Sequence, residues 1–275
     1  MLFRTHGIAL LLFAVVGASV ASASALSAAQ TLTFTPQDTV TRSLQVAITA
    51  VLLNDAPTGM TGGASAQCKL SPRVLADPGV GTALRLELSK LDQQMAGRRL
   101  NVKVPPPALL QVDRRGRLLE LPGMDTSGQP VGEILSQGGV PLQTLAVLCA
   151  LPQLPDGDVD PGDTWKRTDS YDLPGLGLAK VTVESTFVGI KEGVAVLKTH
   201  LVAQVPDFQA DNPLGPGQKI TVSNLVLDLA DLTQLYDLTA CSVTSATGTI
   251  KASMDATTAD IVLPVKVQAL LKYGE

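Results

Sequence analysis

Polar and apolar residues alternate along most of the chain after residue 40, the spacing of strands with one buried face and one wet face. In VTRSLQVAITAVL, Val40, Leu44, Val46, Ile48, Ala50 and Leu52 fall on one side, and Thr41, Ser43, Gln45 and Thr49 on the other. ALRLELSKL repeats the device with Leu84, Leu86 and Leu88 against Arg85, Glu87 and Ser89, and RLNVKV continues it with Leu100, Val102 and Val104. VDRRGRLLEL predicts a turn over Asp113–Gly116 entering a short strand. Further on, AKVTVESTFVGI sets Val181, Val183 and Phe187 against Lys180, Thr182 and Glu184, and KEG then turns the chain into VAVLKTHLVAQV. KITVSNLVLDL, GTIKASM and IVLPVKVQALLKY complete the set.

Between these two stretches the pattern breaks. PGMDTSGQPVGEILSQGGVPLQ is rich in Gly, Pro and polar residues and reads as a linker. Leu142–Leu151 is apolar on nearly every side, follows Pro141 and stops at Pro152, which predicts a short buried helix. The expected fold is mainly β: two lobes of long antiparallel strands, as curved sheets in a half-barrel or sandwich, with the apolar helix between them. The lobes span 26–121 and 153–275, with linker and helix over 122–152 and a leader over 1–25.

That leader is MLFRTHGIALLLFAVVGASVASASA. Arg4 gives a short positive region, Ile8–Val16 an apolar core, and Ala21-Ser22-Ala23 and Ala23-Ser24-Ala25 both fit the small-x-small rule of a signal peptidase. A cleaved signal peptide is expected, with the mature protein in the periplasm or outside the cell. No later run of eighteen apolar residues occurs, so no membrane-spanning helix is expected after cleavage.

A net charge of −4 and 3% aromatic residues supply neither a basic stripe nor base-stacking platforms, which argues against a nucleic-acid partner. Three cysteines cannot all pair within one chain. Cys149 lies in an apolar run and reads as a small buried hydrophobe, which leaves Cys68 and Cys241 as the expected disulfide.

The mid-chain stretch LCALPQLPDGDVDPGDTWKR resembles the junction of a group of secreted bacterial two-lobed β-rich proteins of uncharacterised activity. There a helix leads to Leu-Pro, a short loop, and Gly-Asp-x-Trp opening a strand. The matching residues are Leu154, Pro155, Gly162, Asp163 and Trp165, and FVGIKEGVAVLKT and GTIKASM are similar in style. The resemblance implies a fold type and an exported location.

Candidate chemistry is sparse. Asp156, Asp158 and Asp160 match positions 1, 3 and 5 of a helical calcium loop, but Pro161 stands where Gly is needed and Arg167 where the closing acid is needed. Asp163 is the one further carboxylate at hand, so a turn fits this loop better than a metal site. His200 sits within a strand on a mixed face with Val196, Lys198 and Val202, a setting more usual for a structural histidine than for a general base. GASAQ at Gly63–Gln67 lacks the second Gly of a nucleophile elbow. Asp228, Asp231 and Asp237 accompany Tyr236, yet a sugar-cleaving cleft needs aromatic walls that this composition does not supply. Arg98, Arg99 and Lys103, and Arg114, Arg115 and Arg117, read as charged hairpin tips and edges.

No catalytic residue, cofactor or metal is therefore expected, and the chain is read as a non-enzymatic binding protein. The expected ligand is an apolar molecule or lipid held between curved sheets, with the helix as a lid. The alternative is an envelope structural or protein-interaction module with a filled core and no ligand, its long edge strands, such as Val40–Leu53, pairing with a partner protein.

Overall fold

The computed structural model describes residues 29–73, 81–120, 142–173, 177–211, 219–258 and 261–275. The leader and most of the linker lie outside them. The strands are β1 (Val40–Leu53), β2 (Ala56–Pro57), β3 (Gly62–Arg73), β4 (Thr82–Met95), β5 (Arg98–Arg99), β6 (Ala108–Val112) and β7 (Leu118–Glu120). Among the described residues one helix, α1 (Leu142–Ala150), precedes β8 (Thr164–Leu173), β9 (Gly177–Lys191), β10 (Val194–Val205), β11 (Phe208–Asp211), β12 (Lys219–Asp237), β13 (Ser242–Thr258) and β14 (Ile261–Gly274). None of the described helical residues forms a span long and apolar enough to cross a membrane.

All fourteen strands belong to one antiparallel sheet in the order β7-β6-β4-β3-β1-β14-β13-β12-β10-β9-β8, with β2, β5 and β11 attached to β1, β4 and β12. Each stretch recognised by its alternation forms a run of strands, and the two runs join where β1 pairs with β14 from Ser43↔Gly274 to Leu53↔Val265. This placement corrects the expectation that Val40–Leu53 is an edge. It is central, paired with β14 on one side and β3 on the other.

The sheet does not close on itself; its edges are β7 and β8. It nevertheless rolls far enough for both edges to meet the loop 152–163. Arg117, just before β7, pairs with Asp156 at 2.5 Å, while Trp165 Nε1 of β8 donates to Gln153 O at 2.8 Å.

Two-residue turns set the hairpins. Glu192 and Gly193 both have positive φ, as a turn matched to strand twist requires, and they fix Lys191 opposite Val194. Bulges interrupt strict alternation, among them four in β1, β4 and β12. In β1 the register slips between Ile48 and Ala50, so Val51 is buried where Ala50 and Leu52 were expected. In β4 the bulge lies at Lys90, which has positive φ, and in β12 two lie at Asn224 and Asp231. Because each inserts one unpaired residue, the inward series of β12 runs unbroken: Val222, Leu225, Leu229, Leu232, Gln234 and Tyr236 are all buried.

Residues 100–107 are a second correction. They form no strand, and Val104 is 59% exposed, because Pro105, Pro106 and Pro107 cannot donate to a ladder.

The inward face is plugged toward one end. The segment 29–35 enters the roll as a strap. Gln30 exchanges backbone hydrogen bonds with Val159, Phe34 N donates to Arg114 O, and Tyr236 Oη donates to Thr33 O. Leu32 and Phe34 are fully buried, with the Phe34 ring 6.4 Å from that of Tyr236. α1 packs beside the strap against β3 and β13. Its first turn is tied by Gln143 Nε2 donating to Pro106 O at 2.9 Å. Its last turn is held by Gln234 Nε2, which reaches Leu148 O, Cys149 O and Leu151 O at 3.4, 3.0 and 3.2 Å. Those carbonyls have no partner within the helix, so a buried amide takes the place of a cap.

Candidate functional site

Polar side chains from distant parts of the sequence converge at the seam between β7 and β8. The turn after β6 is built by Asp113, whose Oδ1 accepts from Arg115 N at 2.8 Å and Arg117 N at 2.9 Å. Gly116 completes it at φ +73°, lying so close under Pro152 that a Cβ would sit 2.1 Å from Pro152 O. This turn aims Arg115 at the carbonyls of Pro155 and Asp156, and Arg117 at the Asp156 carboxylate. The bond from Arg117 holds the Asp156 carboxyl below its usual range, although that side chain is largely exposed.

On β8 the inward series is Trp165, Arg167, Asp169 and Tyr171, polar where other strands are aliphatic. Arg167 Nε lies 2.6 Å from Asp169 Oδ2, Arg167 also donates to Gln153 Oε1, and Tyr171 Oη donates to Asp169 at 3.3 Å. Burial, with the charge of Asp169, pushes the Tyr171 phenol up to about 12. It is a neutral donor at physiological pH, not a base. Three arginines face three carboxylates, each engaged, so the seam acts as a clasp over an unclosed sheet. The Arg runs carried part of this signal, and the run WKRTDSY carried more, since it places polar groups on both faces of a strand.

The aspartates of LPDGDVDPGDTW are distributed among separate partners. Asp156 takes Arg117, Asp158 accepts from Thr31 of the strap, and Asp163 Oδ2 accepts from Asp160 N at 2.9 Å. Gly162 N donates to Phe187 O, and Phe187 N donates to Asp163 O, docking the turn on β9. Among the described residues no group of three or more His, Cys, Asp or Glu is placed to hold a metal ion.

His200 Nε2 lies 2.9 Å from Asp228 Oδ1 across β10 and β12. The ring is 53% exposed on the outer face, opposite Glu184 of β9. Ser185, the next residue along, points through the sheet and is buried against Thr199 at 3.0 Å. A histidine and an acid meet, but on the face opposite that serine. Asp231 occupies a bulge, and Asp237 Oδ1 accepts from Thr239 N and Ala240 N to shape the turn into β13. Arg98 and Arg99 sit beside a hairpin turn, Arg99 pairing with Asp92 at 2.7 Å.

No bridge joins Cys68 to Cys241; all three thiols are free. Cys241 lies in the turn after β12, its sulfur 3.6 Å from Thr35 Oγ1. Cys68 on β3 and Cys149 on α1 are both buried in the main core. Burial raises the Cys68 thiol to about 12 and Cys149 further still.

Among the described residues, no segment like the strap or helix covers the inward face further along. A second cluster of Ala179, Val205, Phe208, Val222 and Leu225 follows the main core, with Leu227 and Met254 half-buried beside it. The face then reaches Val267, Val265 and Leu53, and ends at Leu263 and Ile261. Leu53, Leu263 and Ile261 are 37%, 39% and 59% exposed. No family model, curated protein or solved structure matches this chain.

Proposed function

We propose that the chain is an exported, non-catalytic binding protein that takes an apolar ligand, such as a lipid acyl chain, on the inward face of the sheet beyond the plug. The observation that supports this reading is the aliphatic series itself. Bulges preserve it across the sheet past the point where the protein's own side chains fill the roll, and it ends in exposed Leu53, Ile261 and Leu263. Polar groups at the seam neutralise one another, which suits holding a sheet together better than turning over a substrate.

Native mass spectrometry of the purified protein, with organic extraction, tests the reading. Co-purifying lipid is expected, together with saturable binding of a fluorescent fatty acid. Val267→Lys, which puts a charge on the half-buried inward face, should weaken that binding roughly tenfold or more. Absence of lipid and of probe binding would overturn the proposal.

A second reading, an envelope interaction module, draws on the outer face, where Val262 and Leu270 are 56% and 55% exposed and no inward ligand covers them. A photo-crosslinker at position 270 giving a discrete adduct, absent when it is placed at Lys198, would favour it.

A further inference from the structure

We propose that the ligand is a single-tailed lipid with an uncharged diol head, and that Arg167, Asp169 and Tyr171 of β8 hold that head. This rests on the binding reading above and adds to it the ligand's orientation and head chemistry. Strand register carries the orientation. Asp169 stands opposite Val181 of β9, and from there Ala203, Leu227, Ala252 and Val267 pair in turn across β10, β12, β13 and β14. All five apolar residues are half-buried on the inward face. The next row begins with Tyr171 opposite Ala179 of the second cluster and ends with Val265 opposite exposed Leu53. At the spacing of neighbouring strands, the track from β8 to β14 is about 24 Å long, room for one extended acyl tail. Of the residues along these rows, those of β8 alone carry charge or a hydroxyl.

The head chemistry follows from the bonds that β8 already makes. Arg167 Nε and Tyr171 Oη converge on Asp169 Oδ2, so the arginine charge is balanced. A carboxylate head would gain Arg167 but meet Asp169, and an ammonium head would meet the reverse. Among the described residues Asp169 Oδ1 has no bonding partner, and the Tyr171 phenol, having given its proton to Oδ2, keeps a lone pair. Vicinal hydroxyls suit both: one donates to Oδ1 and the other to the phenol oxygen. The Asp169 side chain is 37% exposed against 17% for Arg167, so the carboxylate is the member a ligand reaches.

The test compares 1-monooleoylglycerol with oleate by titration calorimetry on the full chain. The monoacylglycerol should bind tighter by roughly tenfold. Asp169→Asn, which leaves Arg167 unbalanced, should reverse the preference, oleate tightening by roughly tenfold. Tyr171→Phe should weaken the monoacylglycerol severalfold and leave oleate unchanged, whereas Val267→Lys should weaken both alike. Melting curves establish that each variant folds. In the unmodified protein, a monoacylglycerol with a photoreactive head should label β8, and one with a photoreactive tail end should label β13 or β14. Equal affinities that neither β8 variant alters, or a head label on β14, would overturn the head site and leave the apolar reading standing. If neither lipid binds, both fall together.

Discussion

Replacing Phe34 by alanine tests whether the strap is part of the core or merely lies on it. The ring is fully buried, and its centroid stands 6.4 Å from that of Tyr236, whose hydroxyl in turn holds Thr33 O. Truncating a buried phenylalanine costs about 3–5 kcal/mol when the cavity cannot collapse. The strap lies outside the sheet ladder and can peel away to relieve part of that cost, so about 3 kcal/mol is the reasonable expectation. For a domain of this size that corresponds to a fall in Tm of roughly 6–12 °C. Trp165 is the only tryptophan, and its indole donates to Gln153 O in the loop that the strap bridges, so its fluorescence reports this region during urea unfolding. Leu32→Ala should cost a comparable amount, and Thr31→Ala, at an exposed bond to Asp158, less than about 1 kcal/mol. If Phe34→Ala falls within about 1 kcal/mol of the parent with an unchanged urea slope, the strap does not plug the roll.

Four further outcomes can be checked. Gln234→Leu strands the terminal carbonyls of α1 and should cost about 1–3 kcal/mol, with faster amide exchange in the helix than in β12. Gly116→Ala, at φ +73° and against Pro152 O, should lose about 1–3 kcal/mol or more in denaturant titration. Asp156→Asn should change stability by less than about 1 kcal/mol, because solvent screens the clasp to Arg117; a larger loss would mean that the seam is held electrostatically. In reductant, stability should fall as pH rises. Cys68 is raised from an ordinary value of 9.0 to about 12 and Tyr171 from 10.0 to about 12, so their contribution is whole below pH ~9 and gone above ~12.

Strand positions are written plainly in this sequence because period-two alternation is a local signal. Leu84, Leu86 and Leu88 point inward as that signal dictates, and the Glu192-Gly193 turn follows from two residues. Bulges are not local in this sense. Nothing in SLQVAITAVL shows that Ile48 is followed by Val51 on the inward face, since the extra residue is defined only against β14. The seam is harder still. Arg117, Asp156 and Arg167 meet because a sheet edge returns to its other edge, a relation between residues about fifty apart that no motif encodes. Likewise, the central position of β1 depends on its partner β14, at the far end of the chain.

The paired interruptions of β12 carry a consequence for how this protein can change. A single deletion in an ordinary strand turns everything beyond it inside out. At Asn224 and Asp231 the extra residue already lies outside the ladder, so losing either one restores plain alternation and leaves every oily side chain facing the interior. Those two sites behave as frameshift-tolerant joints: removing Asp231 should straighten the strand and spare the fold, whereas removing its near neighbour Thr233 uses up the same joint at the cost of turning Asp231 inward and Leu232 outward.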